Sequence, residues 1–155
     1  MLAHKAEEEA IACVEHIVNG GGKVNYDAIP SVIYTSPEVA WIGKTEEELD
    51  RDGIRFKKGV FPISANSRAT MTLSDEGLIK VLIDEKSHKI LGVWIIAVNA
   101  GEMLAEGALA YSLGLPVEKI AEMSHATPTL SEAFREACLA TIDKSIHNWV
   151  FCVFI

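Results

Sequence analysis

Nine consecutive residues, Ile90 to Val98, carry no charged side chain, and only Gly92 interrupts their bulk. A run of this length is too short to span a bilayer, which needs about 20 apolar residues in a helix. It reads instead as a β-strand with apolar side chains on both faces, hence a central strand covered above and below. The residues before it set its neighbour. Ile79, Val81 and Ile83 alternate with Lys80 and Asp84, and a polar loop, Glu85-Lys86-Ser87-His88, joins the two runs. This pattern predicts an antiparallel hairpin.

Other elements group around that hairpin. Residues 3 to 18 place Ala6, Ala10, Cys13, Val14, Ile17 and Val18 at near-helical spacing, with Glu7, Glu8 and Glu15 opposite. Asn19-Gly20-Gly21-Gly22 ends this helix, because glycine accepts the left-handed backbone found at helix C-termini. The main boundary is expected there. Ser31-Val32-Ile33-Tyr34 and Val39-Ala40-Trp41-Ile42 read as two strands around Thr35-Ser36-Pro37. Thr45 and Glu48 have capping-box spacing and open a short helix that Gly53 closes. Arg55 to Ile63 is a further strand, and Ser64 to Leu73 is polar and turn-like.

Three helices follow the hairpin: Gly101 to Leu113, rich in Ala105, Gly107, Ala108 and Ala110; Pro116 to about Met123; and one from Leu130. The last shows Leu130, Ala133, Phe134, Ala137, Cys138 and Thr141 on one face. The order helix, strands, helices predicts an α+β fold with a mainly antiparallel sheet of about five strands flanked by helices.

Charge and cysteine usage narrow the function. Fourteen Lys plus Arg against 22 Asp plus Glu leave a net charge of −8 in 155 residues. Nucleic-acid binding needs clustered positive charge, and anionic lipid would repel this chain. The three cysteines, Cys13, Cys138 and Cys152, are far apart and form no Cys-x-x-Cys pair. Neither a disulfide framework nor a zinc site follows, and no metal ligand cluster is apparent. The start, with Lys5 and Glu7-Glu8-Glu9, lacks the pattern of a signal peptide. An intracellular chain is expected.

Familiar motifs are scarce. Gly43-Lys44-Thr45 imitates the end of a phosphate-binding loop, but Glu38 stands where its first glycine is required. Gly20-Gly21-Gly22 follows a helix, so it is no dinucleotide fingerprint. The suggestive stretch is His125-Ala126-Thr127-Pro128-Thr129-Leu130-Ser131-Glu132. Its plain reading is a helix start, with Thr129 as cap and Glu132 closing a capping box. Its chemical reading is an imidazole and a carboxylate placed for proton transfer. A Ser131/His125/Glu132 hydrolase lacks any recognisable nucleophile elbow.

Six segments together carry a family resemblance. They are Leu2-Ala3-His4-Lys5-Ala6-Glu7, Pro30-Ser31-Val32-Ile33-Tyr34-Thr35, Pro37-Glu38-Val39-Ala40-Trp41, Ala65-Asn66-Ser67-Arg68-Ala69, Ala100-Gly101-Glu102-Met103 and Pro128-Thr129-Leu130-Ser131-Glu132. From Met1 to about His147 the chain resembles the C-terminal part of the dihydrolipoamide dehydrogenases. These form the lipoamide branch of the pyridine-nucleotide disulfide oxidoreductase family.

The resemblance implies a modular flavoprotein. An FAD domain carries the redox disulfide, a second domain binds NAD, and a C-terminal interface domain makes the homodimer. Residues 1–22 correspond to the terminal helix of the FAD domain and residues 23–147 to the interface domain, with an unmatched apolar tail at 148–155. In the family, the positions of Met1, Leu2, Ala3 and His4 touch the flavin. The FAD fingerprint, the redox cysteines and the NAD fold are not in this sequence, so neither cofactor is expected bound to this chain alone. The resemblance also places the chain in the mitochondrial matrix of a eukaryote or the cytoplasm of a bacterium. Besides the homodimer, the alternative reading is a free-standing regulatory or assembly module that dimerises with a full-length subunit.

One departure bears on the chemistry. The family reads His-Ala-His-Pro-Thr where this chain reads His125-Ala126-Thr127-Pro128-Thr129, and its second histidine is the acid–base acting on the partner subunit. Thr127 cannot exchange a proton near neutral pH. Glu132 matches the carboxylate that orients the lost imidazole, and His125, two residues away, is the weaker substitute. The chain alone is therefore expected to be redox-inactive. The family's proline bond at this point also implies a cis peptide at Thr127-Pro128.

Overall fold

A computed structural model describes residues 2–147. The terminal tail at 148–155, with Cys152, and the first residue, Met1, lie outside the described residues. The elements follow in the order α1 (Ala3–Asn19), β1 (Ser31–Ile33), β2 (Glu38–Gly43), α2 (Glu46–Arg51), β3 (Phe56–Pro62), α3 (Ser67–Met71), β4 (Leu78–Asp84), β5 (Ile90–Ala97), α4 (Ala100–Ser112), α5 (Val117–Glu122) and α6 (Ser131–Ala140). The five strands form one sheet in the order β1-β2-β5-β4-β3, antiparallel throughout. This is the expected α+β architecture, and the two-sided apolar run is its central strand. No described helix is long and apolar enough to cross a membrane.

Helices cover one face of that sheet. α4 lies on β2 and β5, α6 lies on β3 and β4, and α5 packs against α6. Ala40, Ile42, Phe61, Ile79, Val81, Val93 and Ile95 meet Leu104, Ala133, Phe134, Ala137 and Cys138 in the core. The contact is close at Gly59, where a Cβ would lie 2.2 Å from the Ala137 carbonyl oxygen. At Gly107 a Cβ would lie 3.3 Å from Val93 Cγ1 and 3.5 Å from Phe134 Cε2. Gly107 and Ala110 of α4 and the apolar side of α6 are thus packed within the domain, while Ala105 and Leu109 of α4 stay exposed.

The opposite sheet face is only partly covered, which corrects the expectation for β5. Trp41 and Trp94 pair across β2 and β5 and stack with centroids 5.4 Å apart. Lys80, the next residue in that row, lies 5.8 Å from the Trp94 ring and ion-pairs with Glu46 of α2 at 2.8 Å. One row further along, Ile33, Val39, Ile96, Leu78 and Pro62 are in register across all five strands. Ile33 is 50% exposed, and Ile96 and Leu78 are 37% exposed. Strand β5 is therefore apolar on both sides for two reasons: a helical layer on one, an open apolar row on the other.

Local chemistry accounts for the remaining elements. The capping box forms as expected: Thr45 Oγ1 accepts from the Glu48 amide at 3.2 Å, and Glu48 Oε2 accepts from the Thr45 amide at 2.9 Å. The phosphate-loop decoy resolves into three structural roles. Gly43 takes φ +80 at the end of β2, Lys44 ion-pairs with Asp52 at 2.5 Å, and Thr45 caps α2. The stretch read as turn-like contains the short helix α3, because Asn66 supplies its N-cap.

The end of α6 is tied down by a buried carboxylate. Glu136 Oε2 accepts from Ser145 Oγ at 2.8 Å and from the amides of Ile146 and His147 at 2.9 and 3.0 Å. Burial works to raise this carboxyl's pKa, but those donors outweigh it and hold the group below its ordinary value. A depressed carboxyl contributes stability that is present above its unfolded pKa, about 4.3, and is lost as pH falls through its folded pKa. Glu136→Gln is expected to lower the melting temperature at pH 7 and to lose less of it between pH 5 and pH 3 than the parent. Melting curves that run parallel over that interval would refute this role for the carboxylate.

Candidate functional site

The segment between α5 and α6 is short and heavily tethered. Its Thr127-Pro128 peptide is cis, as is Ser36-Pro37. Thr127 Oγ1 donates a hydrogen bond to Glu132 Oε1, and the Thr129 amide donates to Glu132 Oε2 at 2.9 Å. Both carboxylate oxygens of Glu132 are thus used, one by the side chain at 127 and one by the backbone at 129. The expected capping box forms only in this reciprocal half. Thr129 Oγ1 turns back to the Ala126 carbonyl at 2.7 Å, and Leu130, already at helical angles (φ −69, ψ −28), is the N-cap.

His125 points elsewhere. Its ring is 4% exposed, with Nε2 2.9 Å from Glu106 Oε1 on α4 and Nδ1 3.2 Å from the Met123 carbonyl. Among the described residues no hydrogen bond joins it to Ser131, Thr127 or Glu132. The structure therefore brings Thr127 and Glu132 together and sends His125 to an anchoring pair on another helix. Two partners were not singled out from sequence: Glu106, and Asn66, whose Nδ2 donates to the Thr129 carbonyl at 3.0 Å. The helix periodicity of Glu106 and the motif around Asn66 were visible, but no local pattern links residues 19 and 63 positions apart.

The two described cysteines, Cys13 and Cys138, are free thiols. Cys138 is fully buried, and burial, followed by the Glu106 charge, pushes its thiol well above the ordinary range. Cys13 is exposed on α1. At the far end, α1 begins at Leu2 with no capping side chain and no acidic residue in its first turn. Its leading amides lack intrahelical acceptors, so this end tolerates negative charge from a neighbouring group. The His4 ring is held by the Pro30 carbonyl at 2.7 Å, joining α1 to the segment before β1. Leu2, Ala3 and His4 therefore stand at a helix end that can accept a neighbouring negative charge.

Residues 29–138 match the dimerisation domain of the pyridine nucleotide-disulphide oxidoreductases. The chain belongs to this family. Its dimerisation domain is of the dihydrolipoamide dehydrogenase kind. It is 56% identical over 147 residues to dihydrolipoamide dehydrogenase of Chaetomium thermophilum, covering 95% of this chain and 29% of that protein. It is 55% identical over 147 residues to the mitochondrial dihydrolipoyl dehydrogenase of Dictyostelium discoideum, covering 95% of this chain and 30% of the relative. The chain thus spans under a third of the length of the curated relatives it matches.

Solved structures agree on the fold of this oxidoreductase dimerisation domain. RclA, a HOCl-induced flavoprotein disulfide reductase of Escherichia coli, superposes with TM-score 0.81 at 20% identity, in its Cu(II) complex, covering 89% of this chain and 32% of that one. LpdA of Mycobacterium tuberculosis gives TM-score 0.76 at 22% identity, covering 81% and 28%.

Proposed function

We propose that this dimerisation domain forms the subunit interface of a dihydrolipoamide-dehydrogenase-type flavoenzyme and completes that enzyme's site across the boundary. The observation that carries the reading is the Thr127–Glu132–Thr129 arrangement. It keeps a carboxylate directed at position 127, where the family resemblance implies a base. The parent reaction is oxidation of protein-bound dihydrolipoamide with reduction of NAD. FAD supplies the electron transfer when bound, and Leu2, Ala3 and His4 border it, with Met1 as the family's further contact. Thr127 can donate a hydrogen bond in that setting but cannot accept and release a proton at neutral pH. In a eukaryote the compartment would be the mitochondrial matrix, in line with the mitochondrial relative of Dictyostelium discoideum, and in a bacterium the cytoplasm.

Association is the testable core. The open apolar row across the sheet and the exposed Ile11, Val14, Ile17 and Val18 on α1 are surfaces that favour burial against a partner. A homodimer is expected in light scattering at tens of micromolar, and an obligate interface of this class buries more than about 2,000 Å². A sample that stays monomeric throughout that range would refute it. The threonine at 127 favours a second reading, an assembly module that pairs with a full-length subunit. A mixed species of intermediate mass on adding that subunit would identify it.

A further inference from the structure

Asn66 is a buried side chain that reaches the α5–α6 loop from the segment between β3 and β4. It is 4% exposed and sits at the N-cap of α3 (φ −91, ψ 123). Its Oδ1 accepts from the Ala69 amide at 3.0 Å, and its Nδ2 donates to the Thr129 carbonyl at 3.0 Å. Only one orientation of the carboxamide serves both, because one partner is a donor and the other an acceptor. Residue 129 is thereby gripped on both backbone groups: its carbonyl by Asn66 and its amide by Glu132.

We propose that Asn66 is a positioning residue, holding the backbone at Thr129 so that the side chain at 127 faces Glu132. The inference rests on reading 127 and 132 as the positions of a base and its orienting carboxylate. Two features separate this role from mere capping of α3. The bond to Thr129 spans 63 positions, and the cap itself uses only the other end of the amide. Losing the donor while keeping the acceptor should therefore leave α3 in place and release the loop. The second tether, His125 with Glu106, fixes the loop two residues before 127 and is closed on itself.

The test uses the 155-residue chain carrying Thr127→His, with the new imidazole titrated by NMR against the five native histidines. Opposite Glu132, its pKa should rise by about one unit from about 6.5, and Thr127→His with Glu132→Gln should abolish the rise. Adding Asn66→Ser keeps an N-capping oxygen for Ala69 but removes the donor to Thr129. At least half of the rise should then disappear while the Ala69 amide stays protected from exchange. A rise undiminished by Asn66→Ser overturns the proposal and leaves the reading of Glu132 standing. No rise in Thr127→His itself overturns that reading and the proposal with it. Should the serine variant unfold, Asn66→Thr, whose branched side chain suits the extended backbone at 66, supplies the same comparison.

Discussion

A histidine at position 127 is expected to raise turnover by about 10²–10⁴-fold when this chain is paired with a full-length dihydrolipoamide dehydrogenase subunit whose own base histidine has been deleted. The chain alone, without a redox disulfide or NAD domain, should stay inactive with or without the substitution. In the mixed dimer the new imidazole would lie on an intact seat. Glu132 already accepts a hydrogen bond from the side chain at 127, and its second oxygen is braced by the Thr129 amide. A base held in this way needs no rearrangement before it takes a proton, and that preorganisation is what makes positioned proton transfer effective. The comparison is Thr127→His against the unsubstituted chain in the same heterodimer, by steady-state kinetics. Equal turnover would mean either that the chain does not dock in the expected geometry or that His125 already serves. The burial of His125 against Glu106 makes the second unexpected. Either result would remove Thr127 from its place as the lost base.

The parts of this arrangement legible in the sequence are those with a local signature. Ile90 to Val98 announced the central strand because no exposed edge could carry so many apolar side chains. Thr45 and Glu48 announced a helix start because their reciprocal bonds close within four residues. Where the local signature competes with a distant partner, sequence reading fails. Thr129 looked like a cap, yet its hydroxyl bonds backwards to Ala126 and the helix begins one residue later. Helix α3 was hidden because it is five residues long and Asn66 reads as a turn residue until its cap bond is seen. The apolar faces of α4 and α6 were legible from their spacing, but what they pack against was not. Periodicity tells which side of a helix is buried and is silent on whether the partner is the same chain or another. The sheet register that aligns Ile33, Val39, Ile96, Leu78 and Pro62 is likewise a property of pairing.

The largest expected loss of stability is at Phe134. Its ring is fully buried and fills the space where α4, α6 and the sheet converge, close enough to Gly107 that a methyl group there would touch it. Neither helix can move inward to refill that space. Gly59 already brings β3 against the backbone of α6 at Ala137, and Arg135 Nε ties α6 to the Ala121 carbonyl at 3.0 Å. Phe134→Ala should therefore leave a cavity and cost about 3–5 kcal/mol. For a chain of this size that is a fall in melting temperature of roughly 6–20 °C. Leu109, 61% exposed on α4, provides the control: Leu109→Ala should change stability by no more than about 0.5 kcal/mol. The site should register the loss as well, because α6 carries Glu132 in its first turn, two residues before Phe134. A helix that no longer seats firmly on the sheet cannot keep Glu132 against Thr127 and the Thr129 amide. Hydrogen exchange at that amide should then accelerate in Phe134→Ala under native conditions and stay unchanged in Leu109→Ala. A Phe134→Ala chain that melts within about 2 °C of the parent would show that α6 is held by something other than this packing.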